Sequence, residues 1–264
     1  MMDSWREFYG KINEEFKRTA DAHQLWGKEV ACEIVAKGFV RKPPRGPKAK
    51  TEQYFKMPSE EYALTKGKEV LLRCKFNDSY GDAFTDEPKI FRGKLSDVGG
   101  AIFGKAPERA VYFATLNAMF GSLGRINGGV HCKEKDPERC GVRLADYIVQ
   151  NFGKNAVVTH IGYQPGHVAA CSNFKGYVTD LNLENIGKIK FGKKILSGGN
   201  NEDVIRKSDV ASITGSTIVN GSLFQLLEWC KIHGTEPIVY GVTVSAAAKI
   251  LKLRHYCSYA RSEP

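Results

Sequence analysis

Apolar and polar positions recur with two different periods along the chain, and each period predicts one kind of element. Apolar residues spaced three or four positions apart are typical of an amphipathic helix, whereas short apolar runs are typical of buried strands. In the first half the pattern predicts helices over residues 5–22, 107–120 and 136–152, strands over residues 29–35 and 69–76, and a polar surface connection over residues 77–100.

Beyond residue 153, short apolar runs alternate regularly with helical segments. The pattern predicts strands over residues 157–160, 177–180, 210–214, 237–240 and 255–258, helices over residues 166–173, 201–207, 222–233 and 245–253, and a looser glycine-rich stretch over residues 181–200. Such alternation indicates a parallel sheet with right-handed crossovers. We therefore predict an α/β fold, in which residues 154–264 form a Rossmann-like, mostly parallel sheet with helices on both faces. Residues 1–153 form a smaller N-terminal α+β domain.

The composition is typical of a folded cytoplasmic protein. Hydrophobic residues make up 42% of the 264 residues, which is enough for a core. No run of about 18 apolar residues is present, so we expect no membrane span. The N-terminus is polar and does not resemble a secretory signal, which favours the cytoplasm. The seven cysteines are odd in number and contain no Cys-x-x-Cys pair, so they predict reduced thiols.

The formal net charge of +10 is spread over both halves of the chain. A diffuse positive field suits an anionic small-molecule substrate and argues against nucleic acid as a partner. Residues 41–50 hold five basic residues and three prolines without an acid. This segment is either a solvated loop or a loop that binds phosphate or a partner.

Three polar loops follow predicted parallel strands, and ligands bind outside the carboxyl ends of such strands. The candidate binding residues are Gly162, Tyr163, Gln164, Pro165, Gly166 and His167 in the first loop, Asp180, Leu181 and Asn182 in the second, and Thr214, Gly215 and Ser216 in the third. Together they predict a nucleoside site.

Asp180 is the candidate for ribose recognition. It follows Gly162 at close to the roughly 20 residues expected of a ribose-binding acid, although it could instead cap a turn. Gly162 and Gly166 either let the ligand approach the backbone or serve turn geometry. These two glycines, with Pro165 between them, do not complete the dinucleotide fingerprint, which favours a nucleoside ligand other than an ordinary dinucleotide.

Thr179 and Asn220 are the candidate catalytic residues. Thr179 precedes Asp180, so it faces either a substrate or a bridging water, or it packs within the sheet. Asn220 ends the third loop at a helix start, where it either orients a bound base or substrate or caps its own helix. His160 and His167 bracket the first loop without a third ligand at suitable spacing, so we expect no metal there.

Residues 155–182, residues 208–221 and the length of the chain resemble the HcgC family. These are methyltransferases that use S-adenosylmethionine to build the iron-guanylylpyridinol cofactor of the iron-only hydrogenase in methanogens. The resemblance implies methyl transfer to a ring carbon of a pyridinol precursor, and a homodimer. In that mechanism the donor lies near Asp180 and the first loop, and hydroxyl groups stabilise an oxyanion on the ring.

Residues 214–221 and 115–118 also resemble the DUF364 proteins, a Rossmann-like family linked to heavy-metal chelation. The turn over residues 240–245 departs from the Gly-Pro-Ser type expected in that family. Two alternatives to the methyltransferase therefore stay open. One is a metal- or cofactor-binding protein without catalysis, and the other is an NAD-dependent oxidoreductase.

Overall fold

The computed structural model of the protein describes residues 4–37 and 69–264. The basic segment 41–50 lies outside the described residues. Two sheets and the helices packed on them make up the described part, which confirms the predicted mixed α/β fold. No helix within these ranges is long and apolar enough to cross a membrane. All seven cysteines are free thiols.

The first sheet is antiparallel and belongs to the N-terminal part. Helix α1 (Trp5–Ala22) begins after Ser4, whose hydroxyl accepts a hydrogen bond from the backbone N–H of Glu7. Its apolar face is buried through Phe8, Ile12 and Phe16. The strands are β1 (Glu29–Lys37), β2 (Val70–Phe76), β3 (Ser79–Thr85) and β4 (Phe91–Lys94), in the order β3-β2-β1-β4. Helix α2 (Ala106–Ser122), with Pro107 in its first turn, packs on β3 and β2.

The predicted surface connection over residues 77–100 is wrong, because this segment contains β3 and β4. A two-residue turn with Asn77 at a positive φ joins β2 to β3. Asp82 lies opposite Arg73 in β2, and its carboxylate accepts two hydrogen bonds from the guanidinium, of 2.7 and 2.8 Å. Both side chains are buried, so this strand carries a charged core position that a hydropathy pattern does not recognise.

The second sheet has seven strands in the order β11-β10-β9-β5-β6-β8-β7. They are β5 (Val157–Ile161), β6 (Lys175–Asp180), β7 (Ile189–Lys190), β8 (Lys193–Ser197), β9 (Val210–Thr214), β10 (Glu236–Tyr240) and β11 (His255–Tyr256). Neighbouring strands are parallel except β7 and β8. The predicted alternation is confirmed, but the looser stretch also forms β7 and β8. These strands are too short to show a period.

Helices cover both faces of this sheet. They are α3 (Asp136–Phe152), α4 (Pro165–Ala170), α5 (Asn201–Arg206), α6 (Thr217–Asn220), α7 (Leu223–His233) and α8 (Ser245–Leu251). On one face, Leu144 and Ile148 of α3 pack against Val158 and Val210. A second apolar cluster, on the other face, extends into the antiparallel sheet. Helix α3 precedes residue 153 and packs on the parallel sheet. The division of the chain into two domains between residues 153 and 154 stays a prediction.

Asn117 ties the two sheets together from within α2. Its buried amide nitrogen donates to the carbonyl oxygens of Asp82, Val242 and Thr243, at 2.9 to 3.2 Å. Its amide oxygen accepts from the backbone N–H of Ala246 at 3.0 Å. A fully satisfied buried amide fixes orientation well, so the antiparallel sheet is held against the carboxyl end of β10.

Candidate functional site

The strand order reverses between β5 and β9, and this reversal places a crevice at the carboxyl ends of the two strands. From β5 the chain runs outward through β6 and β8, and β9, β10 and β11 then extend the sheet the other way. Open α/β sheets bind ligands at such a switch point. Gly162 follows β5 and Gly215 follows β9, so the first and third predicted loops meet here.

Position 162 requires glycine for two reasons, its backbone conformation and its close contact with Thr214 across the switch point. It has a φ of +91°, and a Cβ added there would lie 2.6 Å from Cγ2 of Thr214. Gly215 is equally confined, because its Cβ would lie 2.9 Å from the carbonyl oxygen of Tyr240. The two loops thus close tightly on each other, and packing alone accounts for both glycines.

The rest of the first loop turns away into helix packing. Gln164 caps α4 by accepting a hydrogen bond from the backbone N–H of His167. Pro165, Gly166 and His167 are buried, whereas Tyr163 and Gln164 stay partly exposed. A Cβ on Gly166 would lie 2.7 Å from the carbonyl oxygen of Pro137 in α3. Gly166 therefore serves the contact between α3 and α4.

Replacing Gly166 by alanine is expected to destabilise the protein by about 1 to 2 kcal/mol, because the new methyl group collides with backbone rather than with a flexible side chain. The measurement is urea unfolding. Gly199→Ala is the matched control, since its Cβ would meet only the Ser197 hydroxyl at 3.7 Å. Equal stability of both variants would contradict the packing role of Gly166.

Asp180 ends β6 at the edge of the crevice, and its carboxylate already holds its own loop. One oxygen accepts from the backbone N–H of Asn182 at 3.0 Å, and the other accepts from the side chain of Asn185 at 2.8 Å. A carboxylate has about four acceptor positions, so two of them remain for a ligand. Leu181 is 65% exposed, and the Asn182 side chain accepts from the backbone of Glu184.

Thr179 and Asn220 are not brought together with Asp180. Thr179 is buried and donates a 2.7 Å hydrogen bond to Asn201, on the opposite face of the sheet from Asp180. Asn220 is exposed and accepts from the backbone and hydroxyl of Ser222. Both side chains therefore have structural partners outside the crevice.

Hydroxyl groups of the third loop and of β10 form the floor of the crevice. The hydroxyl oxygens of Thr214 and Ser216 lie 3.4 Å apart. The Tyr240 hydroxyl donates to the carbonyl oxygen of Gly162 at 3.0 Å. Burial raises the pKa of Tyr240 above its ordinary value, so this hydroxyl keeps its proton. Tyr240 was not among the predicted site residues.

Glu69 is the second residue that the sequence pattern missed. It precedes β2 of the antiparallel sheet, and its carboxyl group interacts with the side chain of Ser216. Burial raises the pKa of Glu69 to about 7, and the charges of Asp180 and Asp86 add to this, while Ser216 opposes it. No local motif marks this glutamate, because its partners come from distant parts of the chain.

The ring of Tyr240 packs against the rings of two buried histidines. The ring of His160 stacks on Tyr240 with centroids 5.0 Å apart, and His167 lies 4.6 Å from Tyr240 and 5.6 Å from His160. Both imidazoles are buried. Burial lowers the pKa of His167 to about 3, and it lowers that of His160 strongly, with a further contribution from His167. Both rings are therefore neutral near pH 7.

Several polar atoms of this ring group lack a hydrogen-bond partner. They are both ring nitrogens of His160, Nδ1 of His167, and the hydroxyl of Ser212 beside His160 on β9. Such buried atoms are uncommon and point to a polar occupant. Within residues 4–37 and 69–264, no group of three or more His, Cys, Asp or Glu side chains could hold a metal ion.

A mostly parallel sheet with a polar crevice at its switch point defines a Rossmann-like α/β protein. Residues 146–256 match the model of the DUF364 family, which is described as "Putative heavy-metal chelation". This part of the chain is similar to the DUF364 family, which residues 214–221 also resemble. No curated protein matches the chain.

Two solved structures share the fold. A DUF364 protein of unknown function from Pyrococcus horikoshii is 15% identical, with a TM-score of 0.56 over 93% of this chain and 82% of its own. Another, from Desulfitobacterium hafniense DCB-2, is 14% identical, with a TM-score of 0.50 over 69% of this chain and 72% of its own. At these identities the likeness shows the fold alone. The narrower resemblance to the HcgC methyltransferases stays a prediction.

Proposed function

We propose that the switch-point crevice binds S-adenosylmethionine and that the protein transfers its methyl group to a ring carbon of a hydroxypyridine. The observation that carries this proposal is a group of carboxylates that act on one another, namely Glu69, Asp86 and Asp180, the last of which ends β6 beside the switch point. The carboxyl ends of parallel strands form a common binding place for nucleosides, and the acids favour a nucleoside ligand that carries a positive charge.

Charge separates the adenosyl ligand from a dinucleotide. S-adenosylmethionine carries a sulfonium cation next to its ribose, whereas NAD carries a diphosphate. Two opposite charges about 4 Å apart attract by roughly 4 kcal/mol near a protein surface, and two like charges repel by as much. Carboxylates beside the crevice therefore support the sulfonium ligand and oppose the NAD-dependent alternative.

Asp180 supplies the hydroxyl-binding end of the proposed site. Its remaining acceptor positions suit the two ribose hydroxyls, and its partners Asn182 and Asn185 fix the carboxylate in place. The bound donor supplies an already activated methyl group, so the residues of this chain need mainly to align it with the acceptor. In this proposal Ser216 and Thr214 supply the hydroxyl groups that stabilise an oxyanion on the acceptor ring.

The first experiment is calorimetric titration with S-adenosylmethionine, S-adenosylhomocysteine and NAD. We expect micromolar binding of both adenosyl ligands, weakened at least about tenfold in Asp180→Ala by loss of the ribose contacts. Asp146→Ala, an exposed acid of α3, is the control and should bind like the wild type. Binding of NAD without binding of the adenosyl ligands would refute the proposal.

A second candidate is metal binding at the buried imidazoles, which the family description and the unpartnered nitrogens of His160 and His167 favour. Imidazole suits zinc and copper. Titration with zinc and with copper(I) tests it, because uptake lost in His160→Phe would move the assignment from catalysis to metal binding. Uptake unchanged in that variant would exclude this pair as the site.

The acceptor, the assembly and the compartment follow as proposals from the same assignment. The net charge of +10 suits an anionic acceptor such as a carboxylated hydroxypyridine. The homodimer implied by the HcgC resemblance is tested by light scattering on the purified protein, and the cytoplasmic location by cell fractionation.

A further inference from the structure

The two buried histidines carry ring nitrogens that no described protein atom satisfies. His160 on β5 and His167 in α4 are 2% and 3% exposed, and their ring centroids lie 5.6 Å apart. Among the described residues, neither nitrogen of His160 nor Nδ1 of His167 has a hydrogen-bond partner, and the same holds for the hydroxyl of Ser212. Ser212 lies opposite His160 on β9 and is fully buried. Each unsatisfied group costs free energy, so an occupant that binds these nitrogens would stabilise the fold.

The separation of the two imidazole rings matches that of two ligands that share one ion. Metal–nitrogen bonds of about 2 Å place the centroids of two collinear imidazoles roughly 6 Å apart. The observed 5.6 Å corresponds to a slightly bent arrangement. The ring of His160 stacks on Tyr240 at an interplanar angle of 18°, and the Tyr240 hydroxyl is held by the carbonyl oxygen of Gly162. Packing therefore fixes the position of the His160 ring, as in a preorganised ligand.

The donor set selects an ion of low charge and low coordination number. In the part of the chain that the structure describes, no third His, Cys, Asp or Glu side chain joins the pair to complete a metal site. Zinc sites in proteins have four ligands. Because both imidazoles are neutral, the full charge of the ion is buried with them. The cost of burying an ion rises with the square of its charge, so a divalent ion costs about four times as much as a monovalent one.

We infer that His160 and His167 bind one copper(I) ion between their ring nitrogens. The inference rests on the second candidate function, metal binding at these imidazoles, and names the ion; it does not depend on the proposed methyl transfer. Copper(I) has a filled d shell and a single positive charge, and it forms nearly linear complexes with two nitrogen ligands. Imidazole is a common ligand of copper. Binding transfers no electron, and each neutral imidazole keeps the proton on its other nitrogen.

The ion reaches the pair through the first loop. Tyr163 and Gln164 are partly exposed and lead directly into α4, which carries His167. Helix α4 has six residues, so its position depends on tertiary packing rather than on its own hydrogen bonds. A local opening of this segment exposes His167. For this reason the metal is offered both to the folded protein and during refolding from urea.

The test is an anaerobic titration with copper(I) in competition with a coloured copper(I) chelator, and a parallel titration with zinc. The affinity for one copper(I) ion should fall at least about a hundredfold in His160→Phe and in His167→Phe, because each variant loses one of two ligands. His23→Phe is the matched control, since His23 is exposed at the end of α1, and it should bind copper(I) like the wild type. Zinc should not bind at this pair.

X-ray absorption spectroscopy of the loaded wild type identifies the ligands without any variant. Two nitrogen neighbours at about 2 Å are expected, whereas copper on the free thiols would show sulfur at about 2.3 Å. Sulfur ligation, or a copper(I) affinity unchanged in both histidine variants, overturns the inference. Zinc uptake that both variants lose, without copper(I) uptake, overturns the choice of ion and leaves metal binding standing. Uptake of neither metal by the folded or the refolded protein overturns the inference together with the second candidate function.

Discussion

Lowering the pH from 6.5 toward 3 is expected to destabilise the fold by about 5 kcal/mol through His167 alone. In the unfolded chain this imidazole binds a proton below pH 6.5, whereas burial in the fold prevents protonation until about pH 3. Between these values the unfolded state binds more protons. The stability contribution is therefore complete above pH 6.5 and is lost as the pH falls, and His160 acts in the same direction.

The measurement is urea unfolding between about pH 3 and pH 7 for the wild type and His167→Phe, which keeps a ring against Tyr240. The variant should lose distinctly less stability on acidification. His23→Phe is the control, because His23 is exposed at the end of α1. Parallel curves for the wild type and His167→Phe would show that the ring is not held neutral by burial.

Glu69→Gln is expected to stabilise the protein at about pH 8 by roughly 2 to 3 kcal/mol. The folded state keeps the proton of Glu69 up to about pH 7, whereas the unfolded chain releases it near 4.5. Stability from this group is thus complete below pH 4.5 and is lost as the pH rises through 7. The shift alone corresponds to about 3 kcal/mol, and partial exposure of the residue reduces this value.

Glutamine removes the charge and keeps the size of the side chain, so the variant should gain stability at pH 8 and resemble the wild type near pH 4.5. Thermal or urea unfolding at both pH values tests this, with Glu87→Gln as the control. A variant that is less stable at pH 8 would show that ionised Glu69 is favourably held. A gain would mean that the crevice keeps an acid at a cost in stability, as functional sites commonly do.

The predicted ribose acid and part of the predicted loops do line the crevice. Asp180, Gly162, Thr214 and Ser216 lie there because carboxyl ends of parallel strands share one edge, and that edge follows from the order of strands and helices. Thr179 and Asn220 have other partners, since a strand alternates its faces and a loop side chain can satisfy its own backbone. Neither choice is visible without the neighbouring elements.

The sequence by itself determined the kinds of element and the alternation that gives a parallel sheet, because periodicity depends only on residues close together in the chain. The tertiary structure decided what depends on distant neighbours. The buried partner Arg73 allows the charged Asp82 to lie in strand β3, and the close contact with Pro137 leaves no room for a side chain at Gly166. Burial lowers the pKa of His167. The tertiary structure also placed Glu69 where burial and the charges of Asp180 and Asp86 raise its pKa. Desolvation and charge act through space, so they appear only when the chain is folded.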